Sequence, residues 1–417
     1  MTKKSDAPAI RFKGFSDAWE QRKLSEITDK VTEKNAGLQY VETFTNSAEF
    51  GIISQRDFFD HDIAKLGSLD GYYIVKNEDF VYNPRISTSA PVGPINRNKL
   101  GRTGVMSPLY TVFRPHDIDT TYLEYFFKCG YWHSFMNFNG DSGARSDRFS
   151  IRDNVFFQMP IPIPDIDEQR KIGELLTCLD NLITLHQRKF EKLTNVKKSM
   201  LEKMFPQNGS SYPEIRFKGF TDPWEQREVG DLLIERSQQA PMSDEYPLMA
   251  FIANEGVAPK GERYDRSALV TDTVNKLYKK TEKGDFIYSS NNLETGSIGL
   301  NKYGKACISP VYSIFEPTGI ADSDFLGRRL VRKDFINAMV KWRQGVIYGQ
   351  WRIHESDFLK IEISVPSVEE QRKIGAYLDQ LDNLITLHQR ELEKLQNIKK
   401  SMLEKMFVYG GTRKWES

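Results

Sequence analysis

The chain contains two nearly identical stretches of sequence. Residues 168–205 read EQRKIGELLTCLDNLITLHQRKFEKLTNVKKSMLEKMF, and residues 370–407 read EQRKIGAYLDQLDNLITLHQRELEKLQNIKKSMLEKMF. At this offset of 202 residues, 30 of the 38 aligned positions are identical. Neither stretch contains proline, and apolar residues recur with alternating spacings of three and four, which is typical of helices packed along one seam. The sequence therefore predicts two long helices, each roughly 60 Å in length.

Polar residues predict where these helices begin and how they pair. Asp165 and Ser367 can cap the two N-termini, each with a glutamate three residues further on, as in a capping box. If the two copies pack about a pseudo-twofold axis, the helices form an antiparallel coiled coil. His186 and His388 then occupy seam positions at the helix crossover, where we expect them to lie close together and fix the register. A pH switch or a pair of metal ligands is the alternative role for these two imidazoles.

A second duplicated box precedes each globular part of the sequence. Residues 10–22 read IRFKGFSDAWEQR, and residues 215–227 read IRFKGFTDPWEQR. The chain therefore consists of two copies of a unit of about 200 residues. We expect the following division: a first globular domain at 1–164, a helix at 165–206, a second globular domain at 207–366, and a second helix with the C-terminal tail at 367–417.

The globular parts share patterns typical of strands. Residues 104–113 and 306–315 each alternate apolar and polar side chains, as one half-buried strand does, and residues 79–82 match residues 285–288. The predicted fold class is α/β (α+β), with two strand-rich domains separated by two long antiparallel coiled-coil helices in a pseudo-twofold internal repeat.

The two copies have diverged unevenly along the chain. The helices keep their outer polar residues as well as their seam, whereas the globular parts keep only a skeleton. Two identical helix surfaces suggest two copies of one partner, and unlike loops on a common scaffold suggest two different targets. A recent duplication is the alternative. The candidate partner-docking residues on the helices are Arg170, Asn181, Gln187, Arg188, Arg372, Asn383, Gln389 and Arg390.

Composition excludes several classes of protein. The 417 residues include 58 Lys+Arg and 57 Asp+Glu, so any contact with nucleic acid must use locally arranged charge. Three isolated cysteines exclude a disulfide framework and a C-x-x-C zinc site, and they fit a reducing compartment. The sequence has no apolar run near 18 residues and no apolar segment after its first residues, so we expect neither a membrane span nor a secretory signal. The predicted location is the cytoplasm, with no membrane partner.

Locally basic loops provide the candidate DNA contacts. Residues 80–116 and residues 335–354 contain no acidic residue but several arginines and lysines. Arg, Asn, Gln and Ser in such loops suit phosphate contacts and hydrogen bonds to base edges, although a solvated loop can have the same composition. The candidate DNA-binding residues are Asn83, Arg85, Ser87, Arg97, Lys99, Arg102, Arg145 and Arg148 in the first copy, and Ser290, Asn291, Asn292, Arg343, Tyr348, Gln350 and Arg352 in the second.

Motifs for catalysis and metal binding fail in detail. Residues 299–306, GLNKYGKA, resemble a phosphate-binding loop but have alanine where a Mg²⁺-binding hydroxyl is needed. Residues 83–86, NPRI, begin like the Asn-Pro-Pro-aromatic motif of adenine methyltransferases but lack the second proline and the aromatic residue. Residues 60–62, Asp-His-Asp, have no further His or Cys beside them to complete a metal site. We therefore assign no catalytic residue and no metal ligand, which disfavours a nuclease or a nucleoside triphosphatase.

Taken together, the duplicated boxes identify a family resemblance over nearly the whole chain. The chain resembles the DNA specificity subunit of type I restriction-modification systems. The residues that carry the resemblance are the FKGFxxxWEQR box (12–22 and 217–227), the PxxxEQRKIG helix start (164–173 and 366–375) and the LDNLITLHQR helix middle (179–188 and 381–390).

The resemblance implies a function for each part of the chain. Each globular part would be a target recognition domain that binds one half of a bipartite, asymmetric site in double-stranded DNA. The helices would set the gap between the halves and dock two modification (methyltransferase) subunits, which restriction (motor/nuclease) subunits join. S-adenosylmethionine, ATP and Mg²⁺ would be cofactors of those partner subunits, and this chain would be non-catalytic with none of its own. A structural adaptor that binds two protein partners through its repeats is the alternative.

Overall fold

The computed structural model describes residues 7–59, 66–141, 147–207, 209–259, 276–346 and 350–408. The chain folds as two units. Unit 1 comprises residues 1–186 and 391–417, and unit 2 comprises residues 187–390. Each unit therefore contains one globular part together with a portion of each long helix.

The described part of unit 1 is built from short strands and helices around one aromatic core. Phe80 stacks on Phe113 with ring centroids 5.6 Å apart, and both rings are fully buried. The strands are β1 (Glu20–Lys23), β2 (Thr28–Lys30), β3 (Phe44–Ser47), β4 (Gly51–Ser54), β5 (Tyr73–Val75), β6 (Phe80–Tyr82), β7 (Ile95–Arg97), β8 (Gly104–Met106), β9 (Thr111–Pro115) and β10 (Pro160–Ile163). The helices are α1 (Gln55–Phe59), α2 (Thr120–Lys128), α3 (His133–Asn139), α4 (Asp153–Phe156) and α5 (Ile166–Lys203), with 3₁₀ turns at Leu24–Glu26 and Leu66–Gly71.

The described part of unit 2 repeats much of this order. Its strands are β11 (Glu225–Glu228), β12 (Leu233–Glu235), β13 (Gln239–Ala240), β14 (Ala250–Ile252), β15 (Gly256–Ala258), β16 (Tyr278–Thr281), β17 (Phe286–Tyr288), β18 (Ile298–Leu300), β19 (Ala306–Ile308), β20 (Ser313–Pro317), β21 (Gln344–Val346), β22 (Gln350–Arg352) and β23 (Glu362–Val365). Its helices are α6 (Val229–Leu232), α7 (Ser323–Arg329), α8 (Lys333–Val340), α9 (Glu355–Leu359) and α10 (Val368–Lys405).

Equivalent antiparallel sheets position the loops of the two units. The central sheet has the order β2-β9-β6-β7 in unit 1 and β12-β20-β17-β18 in unit 2. A two-stranded ladder closes each globular part, because β1 pairs with β10 and β11 pairs with β23. These pairings confirm the predicted mixed fold with strand-rich globular parts. The segment that connects β6 to β7 and the segment that connects β17 to β18 are therefore equivalent loops, each in the same place on its own central sheet.

One predicted strand in each copy proved to be two. Residues 104–113 contain β8, a turn, and the start of β9, and residues 306–315 are divided in the same way. The turn is closed by the Tyr110 N–H, which donates to the Ser107 carbonyl oxygen over 3.1 Å. Pro108 lies within this turn and has no N–H for a sheet ladder. The alternation of side chains continues across the turn, so the pattern did not reveal it.

A buried aspartate precedes the central strand of each unit, and its arginine partner comes from a different strand in each. In unit 1, Asp79 is 2.8 Å from the Nε of Arg114 on β9. In unit 2, Asp285 is 2.9 Å from the Nε of Arg236, which follows β12, and the β20 position that corresponds to Arg114 holds Glu316. Burial raises the pKa of Asp285, although Arg236 opposes this shift. Both units thus keep the ion pair while exchanging the element that supplies the cation.

The two long helices are present as predicted. In unit 1, the Nζ of Lys399 on α10 lies 2.5 Å from the carboxylate of Asp180 on α5. In unit 2, the Nζ of Lys197 on α5 lies 2.5 Å from the carboxylate of Asp382 on α10. Within each unit, the N-terminal half of one helix therefore packs against the C-terminal half of the other, which is the predicted antiparallel pairing. Among the residues described, no helix has the length and apolar character needed to cross a membrane.

The crossover histidines fall in different units. His186 ends the first segment of unit 1, and His388 lies within unit 2. Both side chains are half-buried. The expectation that the two imidazoles lie together therefore stays a prediction.

The predicted capping boxes are only half formed. The Asp165 carboxylate accepts the N–H of Asp167 over 2.8 Å, and the Ser367 hydroxyl accepts the N–H of Glu370 over 3.4 Å. Glu168 does not complete the first box. Its two carboxylate oxygens instead accept Nε and Nη2 of Arg11 at 2.7 and 2.8 Å. Arg216 holds the fully buried Glu370 in the same way, with both contacts at 2.8 Å. The two duplicated glutamates thus link each duplicated box to a helix start.

Gly375 gives a testable packing constraint on α10. Alanine is about 1 kcal/mol better than glycine inside a helix, so Gly375→Ala would stabilise the protein if there were room. A Cβ there would lie 2.7 Å from Oδ1 of Asp322, which accepts the Phe325 N–H at the start of α7. We expect Gly375→Ala to lower the free energy of unfolding by about 1–3 kcal/mol, measured by urea denaturation of the full chain. Gly173→Ala is the matched control and should cost less, because its Cβ would meet the Thr121 side chain at 3.1 Å. A higher unfolding midpoint for Gly375→Ala would contradict this account.

Candidate nucleic-acid interface

Buried amide side chains anchor the loop of residues 83–94 in unit 1. Asn46 is buried, and its Nδ2 donates to the Val81 carbonyl oxygen over 2.7 Å. Asn83 donates to the Asn46 carbonyl oxygen over 2.8 Å, and Asn96 donates to the Asn46 Oδ1 over 2.7 Å. The loop therefore leaves the sheet from a fixed base, which places its exposed tip reproducibly.

Two candidate arginines of unit 1 lie directly opposite each other. Arg85 and Arg148 form an isolated antiparallel bridge, supported by the Phe149 N–H, which donates to the Pro84 carbonyl oxygen over 2.7 Å. Side chains at directly opposed positions share one face of a sheet, and like charges placed there repel. Among the described residues, neither guanidinium has a carboxylate within ion-pair distance. Such a pair of positive charges is the kind of local charge that attracts an anion such as a phosphate group.

Ser87 continues the same exposed loop. Its hydroxyl accepts the Ala90 N–H over 3.2 Å and lies 3.2 Å from the Ser89 hydroxyl. It therefore shapes the turn of the loop, and its side chain stays exposed beside Arg85.

The other basic candidates that the structure describes in unit 1, Arg97, Lys99 and Arg102, have carboxylate partners. Arg97 is only 8% exposed and lies 2.7 Å from Glu124 and 3.1 Å from Glu78. Lys99 also contacts Glu124, at 3.3 Å. Burial alone would raise the pKa of Glu124, but Lys128, Arg97 and Lys99 together hold it below its usual value. Arg97 is therefore a weaker candidate for a DNA contact than Arg85, because its charge is buried and compensated, which the sequence could not reveal.

Arg102 is exposed but also paired. Its Nε and Nη2 lie 2.8 and 2.7 Å from the two carboxylate oxygens of Glu42. The Arg102 hydrogen bonds lower the pKa of Glu42, so the pair is ionic at neutral pH. A DNA phosphate would have to compete with this carboxylate, which makes Arg102 a weaker candidate than Arg85.

In unit 2, the equivalent loop of residues 289–297 joins the β21–β22 hairpin. The Trp351 N–H donates to Oδ1 of Asn291 over 2.6 Å, and the Ile353 N–H donates to Oγ of Ser290 over 3.0 Å. Asn292 is exposed at the tip of the loop. Both units therefore bring the loop after the central strand against a second segment that precedes β10 or β23.

Arg343 holds these two parts of unit 2 together. Its Nη1 and Nη2 each lie 2.7 Å from a carboxylate oxygen of Glu294, and its Nε donates to the Ser290 carbonyl oxygen over 3.1 Å. The Arg343 hydrogen bonds lower the pKa of Glu294. Arg343 is thus better explained as the residue that joins the β21–β22 hairpin to the loop of residues 289–297 than as a base contact. Arg352 is exposed, and its Nη2 lies 3.7 Å from the Glu355 carboxylate, which is too far for a hydrogen bond. Its guanidinium therefore remains available to a ligand.

Two exposed tryptophans in unit 2 were not among the candidates. Trp351 is 48% exposed on β22, whereas Phe149, at the equivalent distance before the closing strand of unit 1, is 7% exposed. Trp342 is also exposed, just before β21. The sequence did contain a signal for these two residues, because large aromatic rings in a stretch without acidic residues can stack on nucleic-acid bases.

Some candidates cannot be placed. Arg145 and Tyr348, and the Asp60-His61-Asp62 sequence, lie outside the described residues, and only the backbone of Gln350 is described. Within the described ranges, no group of three His, Cys, Asp or Glu side chains is arranged to hold a metal ion.

The candidate docking residues lie on exposed faces of the long helices. Arg170, Asn181 and Leu182 line a groove of about 560 Å³ in unit 1, with the exposed Leu185 at its end. Leu384 and Leu387 are exposed at the equivalent positions of α10. The sequence analysis named only polar residues as docking candidates and so missed these leucines, which lie between the seam positions. The other candidates on these faces are Gln187, Arg188, Arg372, Asn383, Gln389 and Arg390, of which only Gln187 is half-buried.

Sequence comparison finds curated relatives of this chain. The type I restriction enzyme MjaVIII specificity subunit of Methanocaldococcus jannaschii is 26% identical over 280 residues, which cover 60% of this chain and 61% of that protein. A second protein of the same organism is 26% identical over 264 residues, covering 61% of this chain and 60% of that protein. The chain thus spans about three fifths of the length of these relatives.

Comparison with solved structures supports the fold, and a family model identifies the family. The S subunit of a type I restriction-modification system from M. genitalium superposes with a TM-score of 0.55 at 14% identity, covering 96% of this chain and 99% of that one. This similarity is one of fold. The model of the type I restriction modification DNA specificity domain matches residues 16–195 and again residues 221–397, which is most of the chain. The protein therefore belongs to the type I restriction modification DNA specificity family.

Proposed function

We propose that this chain is the non-catalytic DNA specificity subunit of a type I restriction-modification complex. Each globular part binds one half of a bipartite, asymmetric double-stranded DNA site, and the long helices set the spacing between the halves. The observation that carries the proposal is the pair of equivalent, unlike loops: residues 83–94 with Arg85 and Arg148, and residues 289–297 with the β21–β22 hairpin.

A protein that recognises two different half-sites with two similar domains needs a common scaffold with different loops. The central sheets of the two units have the same strand order, so both loops leave the same edge of the same framework. Three residues after the central strand, unit 1 presents Arg85 and unit 2 presents Asn291. Arginine pairs best with guanine and asparagine with adenine in the major groove, so the two loops suit different base sequences.

The helices are proposed to dock two copies of a modification subunit. The candidate docking residues and the exposed leucines are identical at equivalent positions, which suits two copies of one partner rather than two different proteins. We assign methyl transfer with S-adenosylmethionine, and ATP- and Mg²⁺-dependent restriction, to the partner subunits. No residue of this chain is assigned a catalytic role.

The proposal is tested by methylome sequencing. A methylation-free host would express this chain with its modification subunit, and a second culture would express the modification subunit alone. A methylated motif of two short blocks around a fixed gap, present only with this chain, is the expected result. A stable complex recovered without any new motif would reject sequence recognition and favour an adaptor.

Arg85 provides a test at the level of one residue. We expect Arg85→Ala to weaken binding through one half-site by about 1–3 kcal/mol, because an exposed guanidinium with no carboxylate partner among the described residues is lost. Asn291→Ala is the matched control, since it alters the equivalent position of unit 2 and should affect only the other half-site. Titration of the complex with duplexes mutated in either half would separate the two effects. Equal loss at both half-sites would mean that Arg85 is not specific to one.

A further inference from the structure

Unit 1 exposes a cluster of three aromatic rings that no core absorbs. Phe50, Phe58 and Phe59 are 60%, 42% and 36% exposed. The ring centroids of Phe50 and Phe58 are 6.2 Å apart, and those of Phe58 and Phe59 are 4.6 Å apart. Contiguous exposed apolar surface on a folded domain marks a site of interaction. We refer to these three residues as the phenylalanine cluster.

The turn that carries Phe50 is attached to the loop of residues 83–94. Asn96 donates to the Ser47 carbonyl oxygen over 3.1 Å, and Asn83 donates to the Asn46 carbonyl oxygen over 2.8 Å. Within the turn, the Ser47 hydroxyl accepts the Phe50 N–H over 3.2 Å. Phe50 is thus held on the same framework that positions Arg85, two residues after Asn83.

In unit 2, the turn that corresponds to the turn with Phe50 contains no aromatic residue. The β3–β4 turn ends at Gly51 and the β14–β15 turn ends at Gly256, both with positive φ. The residue before the glycine is Phe50 in unit 1 and Glu255 in unit 2. The aromatic ring at this turn position is therefore present in unit 1 only, and Glu255 supplies a matched control within the same chain.

We propose that the phenylalanine cluster is a DNA-stacking surface, with Phe50 contacting an unstacked base step in the half-site bound by unit 1. This inference rests on the proposed function. Arg148 would hold the phosphate backbone beside the loop that presents Arg85, and Phe50 on the attached turn would meet the base faces. Apolar wedges inserted between base steps unstack and kink the duplex, which then wraps more protein surface.

The test uses the full chain purified with its modification subunits and a duplex that carries its methylated target. The fluorescent adenine analogue 2-aminopurine, which brightens when unstacked, replaces single adenines across both half-sites. We expect the wild-type complex to raise the fluorescence at one step, in the half-site that Arg85→Ala weakens. Phe50→Ala should abolish that rise and weaken binding about tenfold, within the range for loss of one stacked base. Phe50→Trp should retain both properties, and Glu255→Ala should change neither.

Each other outcome has a distinct meaning. If the wild-type complex shows no sequence-specific binding, both this inference and the proposed function fail. If it binds specifically but the Phe50→Ala/Phe58→Ala double variant has unchanged affinity and fluorescence, the stacking surface alone is rejected. If that variant instead loses its modification subunits while its residual DNA contact is unaltered, the cluster is a protein-docking surface. Unchanged melting temperatures of the variants would show that exposed rings were removed without unfolding.

Discussion

Glu168→Ala is expected to destabilise unit 1 by about 3–5 kcal/mol, the typical cost of removing one partner from a buried ion pair. The Glu168 carboxylate is fully buried and accepts two hydrogen bonds from Arg11. Hydrogen bonding to Glu168 raises the pKa of Arg11. Arginine does not deprotonate in proteins, so the guanidinium also stays charged, and without a partner, when Glu168 is removed. The neighbouring Ile10 N–H donates to the Lys405 carbonyl oxygen over 3.0 Å. The duplicated box therefore connects the start of α5 to the end of α10, and its release should affect the whole unit.

Denaturant unfolding of the full chain, followed by limited proteolysis, would measure this loss and place it in unit 1. Glu168→Gln is the matched variant, since it keeps the shape and part of the hydrogen bonding and should lose less. Glu370→Ala breaks the equivalent pair with Arg216 and should place the damage in unit 2 instead. A loss below about 1 kcal/mol would mean that the Arg11–Glu168 pair behaves like an exposed surface ion pair.

Replacing residues 24–178 with residues 229–380 of the same chain should convert an asymmetric target into one whose two halves are the same. The junction is compatible because the closing ladders have one register: Lys23 faces Pro160 in unit 1, and Glu228 faces Glu362 in unit 2. The first turns of the helix must travel with the domain. Asp379 contacts Arg328 at 2.7 Å in unit 2. With the predicted pseudo-twofold axis, the repeated half should appear in inverted orientation.

Methylome sequencing of the exchanged chain with its modification subunit would measure the new target. In the control chain, only residues 165–178 are replaced by residues 367–380, and both original halves should persist. Retention of the original first half by the fully exchanged chain would show that residues 24–178 do not select it. A motif with the second half at both ends would assign one half-site to each unit.

The long helices were predictable because their pattern is local. The apolar spacing of α5 and α10 depends on residues three and four apart, and no distant contact overrides it. The strand over residues 104–113 was predicted wrongly because alternation passes unbroken through the turn at Pro108. The turn is defined by a hydrogen bond, which the pattern of apolar residues does not encode.

The parts of the candidate site that could not be predicted from the sequence depend on contacts between distant residues. Glu168 meets Arg11 across 157 residues, so its use as an anchor could not be seen from the capping pattern alone. Arg97 and Arg85 lie in the same acid-free stretch, yet one is buried beside Glu124 and the other is exposed opposite Arg148. Composition assigns them equal value, and only the packing of α2 against the sheet separates them.

The exchanged arginine of the central sheet restricts how such genes can recombine. Val31 and Arg236 occupy equivalent places, since their N–H groups donate to the carbonyl oxygens of Val112 and Ile314. A crossover that joins the first strands of unit 1 to the last strands of unit 2 would combine Val31 with Glu316. The buried aspartate before the central strand would then have no cation and an extra anion nearby, at a cost of several kcal/mol. This crossover inside the closing ladders is therefore destabilising, whereas an exchange at the ladders keeps each buried aspartate with its own arginine.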